Sequence, residues 1–233
     1  MGSSRPSSFS LKPSLSTAEI VERIGERRRR IPETRVSFLD DLAKQYNAPY
    51  RLTDVPDGRR SYLIGDVIVL DRSLRIERLH WAYCHELAHL QLQHHQCPPV
   101  DDTEERQQET DANNLAAELI LPEIEFKPLV HETLLVLKQR FAHASHEVIA
   151  RRRLNYRQGV LTIFDNDQLT ARLSPDGWNH PAQLLPIESE VMQKCLESKS
   201  EVLINMGEYS LEATYVDEGQ GVVRVLLFLE SQL

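Results

Sequence analysis

The chain has 233 residues, of which 41% are hydrophobic, and this length suits one large domain or two small ones. Its net charge of −8 argues against a protein that coats DNA, although local basic patches stay open. Three widely spaced cysteines do not look like a disulfide framework, and no signal peptide or membrane span is recognisable, so we expect a cytoplasmic protein without membrane association.

The N-terminal segment 1–17 is rich in Ser and Pro, and we expect it to be disordered. A helix is predicted from Ala18 through Glu26, with Ser16 or Thr17 as its cap. The four arginines Arg27–Arg30 follow and complement the helix dipole. A solvated basic patch is the favoured interpretation, and contact with DNA or an acidic partner is the alternative.

A helix and a hairpin are predicted next. The helix covers Ser37–Tyr46, and the hairpin joins Arg60–Ile64 to Val67–Leu70 through Gly65-Asp66. The edge of such a hairpin could pair with an extended peptide through backbone hydrogen bonds.

The segment His85-Glu86-Leu87-Ala88-His89 lies in an apolar stretch that predicts one helix. Residues four apart share a helical face, so His85 and His89 can present two imidazoles to one divalent ion, with Glu86 beside an open coordination position. Bound zinc lowers the pKa of its water to about 7, and a neighbouring carboxylate can take the proton. This pattern favours a metal-dependent peptide hydrolase. The alternative is a half-buried helix with two unrelated histidines.

A second helix is predicted at Glu109–Pro122, after a charged loop at Val100–Gln108. Glu109 is the predicted third metal ligand, because a catalytic zinc commonly takes three protein ligands and two histidines with a glutamate are a known set. Asn113, one turn later, is predicted to orient a ligating imidazole by accepting its free ring N–H. Asp111 is the rival ligand, but it lies about 200° round the helix from Glu109.

These two helices resemble those of the ImmA/IrrE metallopeptidases. That family pairs a His-Glu-x-x-His helix with a Glu-x-x-Ala-Asn-x-x-Ala-x-x-Leu-x-x-Pro helix, found here as His85–His89 and Glu109–Pro122, and the close match runs from Ser61 to Pro122. The resemblance implies a minimal gluzincin-like fold. It also implies a protein substrate, a helix-turn-helix repressor of the XRE type. Cleavage of this repressor would derepress stress-response or mobile-element genes, for example those of a DNA-damage or radiation response.

Two short helices are predicted at His131–Arg140 and His146–Tyr156, with Ser145 capping the second. Joined by a tight turn, they form a helix-turn-helix-like unit, and relatives have a similar helical unit here. Arg151–Arg153 and Arg157 make its end basic. The favoured interpretation is a small bundle that packs on the peptidase and guides the substrate, and a DNA recognition helix is the alternative.

Strands dominate the remainder of the sequence. Five strands and one helix (Ser189–Lys199) are predicted, the strands covering Val160–Phe164, Gln168–Leu173, Val202–Met206, Tyr209–Val216 and Val222–Leu229. This module carries no metal or nucleophile motif of its own. It resembles the GAF-like sensory domain at the end of some relatives, which implies ligand sensing, whereas packing or dimerisation is the alternative.

The expected fold class is therefore α+β, in four segments. They are a disordered N-terminus at 1–17, a zincin-like metallopeptidase domain at 18–128, a helix-turn-helix-like helical unit at 129–158 and an α+β GAF-like domain at 159–233.

The leading functional hypothesis is a zinc-dependent endopeptidase of narrow specificity that acts on a repressor. Manganese or iron could replace zinc, since metal availability contributes to the choice. The alternative is a DNA-binding or ligand-sensing regulator in which the metal is structural. Nucleic-acid binding and a homodimer stay open.

Two details of the site have several candidates. The group that stabilises the tetrahedral oxyanion is unassigned among Tyr62, His94 and His131. Cys97 near His94 and His95 could form a metal or redox site, although an incidental thiol is strongly preferred.

Overall fold

The structure, a computed structural model, describes residues 38–55, 58–175, 183–219 and 221–231. The predicted disordered segment 1–17, the predicted helix from Ala18 and the arginine run after it lie outside these residues. The helices of the described part are α1 (Phe38–Tyr46), α2 (Ile76–Gln91), α3 (Asp102–Ile120), α4 (Glu123–Phe126), α5 (Leu134–Arg140), α6 (His146–Arg153) and α7 (Pro186–Ser198).

A small three-stranded sheet precedes α2. Its strands β1 (Tyr50–Thr53), β2 (Ser61–Ile64) and β3 (Val67–Asp71) lie in the order β1-β3-β2. β2 and β3 form the predicted antiparallel hairpin, whose turn contains Gly65 at a φ of 58°, a conformation that suits glycine. β1 pairs parallel with β3 and was not predicted, since it is only four residues long and lacks an alternating burial pattern. β2 is left at the edge of this sheet.

The helix α3 corrects one prediction. The expected charged loop at Val100–Gln108 is wrong, because α3 already begins at Asp102. The side chain of Asp101 accepts hydrogen bonds from the backbone N–H groups of Thr103 and Glu104, and acidic residues in the first turn complement the helix dipole. Glu109 thus lies two turns inside the helix, where its backbone is fixed, and not in the first turn as predicted. The helix ends before Pro122, as predicted.

Buried hydrogen bonds attach α2 to its surroundings. The Tyr83 hydroxyl donates to the Ala48 carbonyl at 2.9 Å, between α1 and β1. The Nδ1 of His80 donates to the carbonyl of His143 at 2.9 Å, and the Nε2 of His143 donates to the carbonyl of Ile120 at 2.8 Å. The ends of α2 and α3 are therefore tied to the loop between α5 and α6, which limits their relative movement.

The predicted helix-turn-helix-like unit is present as α5 and α6, with shorter helices than expected. α5 begins at Leu134, and α6 ends at Arg153. Ser145 caps α6 as predicted, its hydroxyl accepting from the backbone N–H of Val148 at 3.2 Å.

Three of the four arginines at the basic end of this unit are turned inward, whereas Arg151 is 46% exposed. Arg152 pairs with Glu118 of α3, Arg153 pairs with Glu212 at 2.7 Å, and Arg157 pairs with Glu230, all in buried or partly buried positions. A guanidinium held in this way is not available for phosphate contacts. The arrangement fits a helical unit that packs on its neighbours.

The C-terminal segment folds as an antiparallel five-stranded sheet with one helix. Its strands β4 (Gly159–Asp165), β5 (Gln168–Leu173), β6 (Val202–Asn205), β7 (Tyr209–Gly219) and β8 (Val222–Ser231) lie in the order β5-β4-β8-β7-β6. All five predicted strands and the predicted helix, α7, are present. The chain is α+β, with a zincin-like domain followed by a C-terminal α+β domain.

The two faces of this sheet pack against different partners. Val191 and Cys195 of α7 share a core with one face. The other face, which includes Leu161 and Phe228, joins a core that extends through α1, α2, α3, α5 and α6. One apolar core therefore runs across the predicted domain boundaries, and the division at 128 and 158 stays a prediction. Across the described residues, no helix has both the length and the apolar character that a membrane crossing requires.

Candidate metal centre

The packing of α2 against α3 brings His85, His89 and Glu109 together. The two imidazole Nε2 atoms lie 3.1 Å apart. One carboxylate oxygen of Glu109 lies 3.4 Å from His85 Nε2, and the other lies 3.4 Å from His89 Nε2. Within the described residues this is the only group of three such side chains close enough to hold one metal ion.

The spacing of these three side chains fits zinc. Zinc bonds to nitrogen and oxygen at about 2.0–2.2 Å, so two ligand atoms at the corners of a tetrahedron around it lie about 3.4 Å apart. The observed separations of 3.1 to 3.4 Å are close to this value, although the two histidines face different oxygens of Glu109. Taking one ligand atom from each side chain, the three atoms lie within 4.8 Å of one another. A zinc ion held by these three side chains would keep a fourth position for solvent or substrate, as catalytic zinc sites do and closed structural sites do not.

The protonation of His89 suits this role. Its burial, together with the positive charge that His85 can carry, lowers its pKa to about 4 and keeps the imidazole neutral at physiological pH. Only a neutral imidazole has a lone pair for a metal. The Nδ1 of His89 lies 2.9 Å from the Nδ1 of His94, in the short 3-10 turn His94–Gln96. If His89 donates this hydrogen bond, its Nε2 is free to coordinate.

Glu86 lies beside the cluster and is oriented by Ser61. The Ser61 hydroxyl donates to Oε1 of Glu86 at 2.8 Å, which joins β2 to α2. Burial raises the pKa of the Glu86 carboxyl, and the hydrogen bond from Ser61 opposes this shift. A carboxylate with a raised pKa is a stronger base than an exposed glutamate. Ser61 was not predicted as a site residue, because the contact depends on how the hairpin packs on α2.

The structure places the other residues named for the second helix outside the cluster. Asn113 is exposed, and the Nδ1 of His85 is buried with no hydrogen-bond partner among the described residues. The predicted orienting role of Asn113 therefore stays a prediction. Asp111, the rival ligand, accepts a hydrogen bond from Gln107 at 3.1 Å and is not part of the metal-binding group.

The three oxyanion candidates occupy different places. Tyr62 lies on β2 next to Ser61, His94 contacts His89, and His131 lines a separate cavity beside Arg153 and Asn205. Of the three, only His94 is in direct contact with a residue of the cluster. Tyr62 follows Ser61 on the strand, where successive side chains point to opposite faces of the sheet. Cys97 is an exposed free thiol, and together with His94 and His95 it does not form a three-ligand group in the described part of the chain.

Comparison with known proteins then identifies the family. The model of the peptidase M78 family, described as an IrrE N-terminal-like domain, matches residues 34–154, more than half of the chain. The protein belongs to the peptidase M78 family. This matched region contains α1 to α6 and every residue of the cluster.

A solved structure supports the fold over almost the whole chain. It is a Mycobacterium tuberculosis transcriptional regulator, with a TM-score of 0.65 and 12% sequence identity, and the alignment covers 93% of this chain and 87% of that one. At this identity the likeness concerns the fold alone. A search of curated protein sequences finds no match. The likeness of fold therefore extends beyond the matched region 34–154 into the C-terminal α+β domain.

Proposed function

We propose that this M78 protein is a zinc-dependent endopeptidase, with His85, His89 and Glu109 as metal ligands and Glu86 as general base. The observation that carries the proposal is the convergence of the two imidazole Nε2 atoms and the Glu109 carboxylate, at separations of 3.1 to 3.4 Å, with the Glu86 carboxylate held beside them by Ser61. Manganese or iron are the other metals that this set of nitrogen and oxygen ligands accepts.

Each side chain has a defined task in peptide hydrolysis. Bound zinc lowers the pKa of a water molecule to about 7 and polarises a carbonyl group. Because Ser61 holds Oε1 of Glu86, the Oε2 atom is the one left to accept the proton of the attacking water. The same atom then delivers this proton to the nitrogen of the leaving amine, as a general acid. The edge of β2 offers backbone groups that align an extended peptide past Glu86.

The proposed substrate is a helix-turn-helix repressor of the XRE type, cleaved in the cytoplasm to derepress stress-response genes, including those of a DNA-damage response. The support is membership of the M78 family. The C-terminal domain is proposed to be GAF-like and to sense a ligand. The proposed assembly is a homodimer that forms through this domain.

A decisive test compares the wild type with Glu86→Gln. The variant keeps the size of the side chain and its contact with Ser61, so we expect full metal content and no cleavage of the repressor. Metal is measured by inductively coupled plasma mass spectrometry and cleavage by mass spectrometry of the products. Full activity in a metal-loaded Glu86→Gln protein refutes the general-base role.

A second candidate function is a metal-stabilised transcriptional regulator without protease activity. The name of the similar M. tuberculosis structure, a transcriptional regulator, favours it. The buried ion pairs of Arg152 and Arg153 disfavour it, because they occupy the groups that phosphate contacts require. A gel-shift titration at low and high salt distinguishes the two, since a DNA-binding function predicts a steep loss of affinity with salt.

A further inference from the structure

A cavity of about 650 Å³ opens between the peptidase helices and the C-terminal half of the chain. Its lining comes from α2, α3, α6 and the β7–β8 hairpin, and it includes Trp81, whose ring packs partly on the core. The wall is rich in charge, with six arginines and three glutamates. None of these residues belongs to the proposed metal ligands or the general base.

Most of this charge is neutralised within the protein. Arg75 pairs with Glu218, Arg151 with Glu147 at 2.8 Å, and Arg152 with Glu118. Arg224 pairs with three acidic groups, Glu147, Asp165 and Glu218. These contacts build a rigid wall with little net charge.

Two arginines of the lining differ from the others. Arg60 and Arg78 are exposed, and among the described residues neither guanidinium forms a hydrogen bond or a close ion pair. The pKa of Asp165 is lowered by its hydrogen bond from Arg224 at 2.7 Å and also by the charge of Arg78, but Arg224 already holds that carboxylate. A guanidinium presents a planar set of donors that matches a carboxylate. The cavity is therefore lined by two cationic groups that lack a hydrogen-bonded acidic partner among the described residues, and by the aromatic Trp81.

The position of this pair relates it to the metal centre. Arg60 immediately precedes Ser61, whose hydroxyl contacts Glu86. Arg78 precedes His85 by seven residues, which is two helical turns on the same face, or about 10 Å along α2. An extended peptide rises about 3.3 Å per residue, so this distance corresponds to about three peptide residues. The two arginines thus lie within reach of a peptide whose scissile bond is at the metal.

On these grounds we propose that Arg60 and Arg78 form a subsite for an acidic side chain of the substrate, about three residues from the scissile bond. The proposal rests on the endopeptidase function and adds to it a substrate class, a segment with aspartate or glutamate near the cleavage point. A polyanion such as DNA is disfavoured, because Glu77, Glu147 and Glu218 also line the wall.

The test uses the full-length Glu86→Gln protein with added zinc and three fluorescein-labelled decapeptides that differ only at two adjacent positions, occupied by Glu, Gln or Lys. Binding is measured by fluorescence anisotropy at low ionic strength, where exposed charges are least screened. We expect the Glu peptide to bind about tenfold more tightly than the Gln peptide. Arg60→Ala and Arg78→Ala should each remove most of this preference, and Arg78→Glu should transfer it to the Lys peptide.

The control is Arg51→Ala, which removes an exposed arginine from β1, at the opposite edge of the small sheet. This variant should keep the preference for Glu. Equal binding of the Glu and Gln peptides to the parent protein, or equal losses in Arg51→Ala and Arg78→Ala, overturns the subsite. The subsite is also overturned if inorganic phosphate or duplex DNA displaces the peptides and its own binding depends on Arg78 in the same way.

A cleavage assay of the wild type on the same peptides separates this proposal from the proposed function. Hydrolysis without a preference for Glu supports the peptidase and refutes the subsite. Glu-selective binding without hydrolysis of any peptide keeps the anion subsite and counts against the peptidase.

Discussion

The hydroxyl of Ser61 donates a hydrogen bond of 2.8 Å to Oε1 of Glu86. This bond joins the edge strand β2 to the catalytic helix proposed here, 25 residues later in the chain. It fixes one carboxylate oxygen, so that Oε2 is the oxygen left for the proposed proton transfer. β2 thereby positions the proposed general base, Glu86, and also forms an edge of the small sheet.

We expect Ser61→Ala to lower kcat about tenfold, because the hydrogen bond to a charged group is lost while the metal ligands are untouched. KM and zinc content should not change. Ser61→Thr retains the hydroxyl and should recover most of the activity. Steady-state kinetics on a cleavable peptide measure the effect. A rise in KM without a change in kcat would show that Ser61 acts on substrate binding instead.

Glu109→Gln is expected to weaken zinc binding by at least about a hundredfold, since the site loses one of three ligands and its only charged one. Asp111→Asn is the matched control on the same helix, because Asp111 contacts Gln107 and not the cluster. Competition with a chromophoric chelator measures both affinities. A similar loss in the two variants would contradict the assignment of Glu109.

The metal centre was predictable where the chemistry depends on local spacing. His85 and His89 share a face because of helical periodicity alone, and Glu109 followed from an amphipathic pattern. Ser61 and His94 were not assigned to their observed contacts, since both depend on how separate elements pack. The predicted start of α3 is wrong because a charged run such as the one after Val100 suits either a loop or a helix N-terminus. Here Asp101 caps the helix, and the acidic residues of the first turn complement its dipole.

Arg153→Met should destabilise the protein by about 3–5 kcal/mol, because Glu212 is then left buried without its ionic partner. Arg151→Met is a control two positions earlier, where the arginine is 46% exposed and its ion pair with Glu147 contributes about 0.5 kcal/mol or less. Urea unfolding followed by circular dichroism gives both values. If the two substitutions cost the same, the buried pair does not anchor α6 to the C-terminal sheet.

The buried environment of His146 should make stability depend on pH. Burial, reinforced by the nearby Lys138, lowers its pKa from 6.5 to about 4. Between pH 6.5 and pH 4, the unfolded chain therefore binds a proton at His146 that the folded chain does not. The stability that neutral, buried His146 allows is fully present above pH 6.5, and the free energy of unfolding falls as the pH drops towards 4. The other charged groups that act on His146 are Glu218, Glu77 and Arg75.

We expect the urea midpoint of the wild type to fall more between pH 7.5 and pH 5 than that of His146→Gln, which has no titrating group at this position. Both proteins are measured in the same buffers, so that the contributions of other carboxylates cancel. An identical decrease in the two proteins would mean that His146 does not contribute to the pH dependence.

The contact between His94 and His89 leads to a prediction about metal affinity. At 2.9 Å, the Nδ1 atoms of the two rings share one proton. With that proton on His89 Nδ1, the Nε2 atom of His89 is unprotonated and available to the proposed metal. His94→Ala should therefore weaken zinc binding about tenfold and leave the fold intact, because His94 lies in a surface turn. His95→Ala is the neighbouring control, since the His95 ring contacts Gln96 and not a ligand. Chelator competition and thermal unfolding are measured on both variants. Unchanged zinc affinity in His94→Ala would show that His89 keeps its tautomer and orientation without this partner.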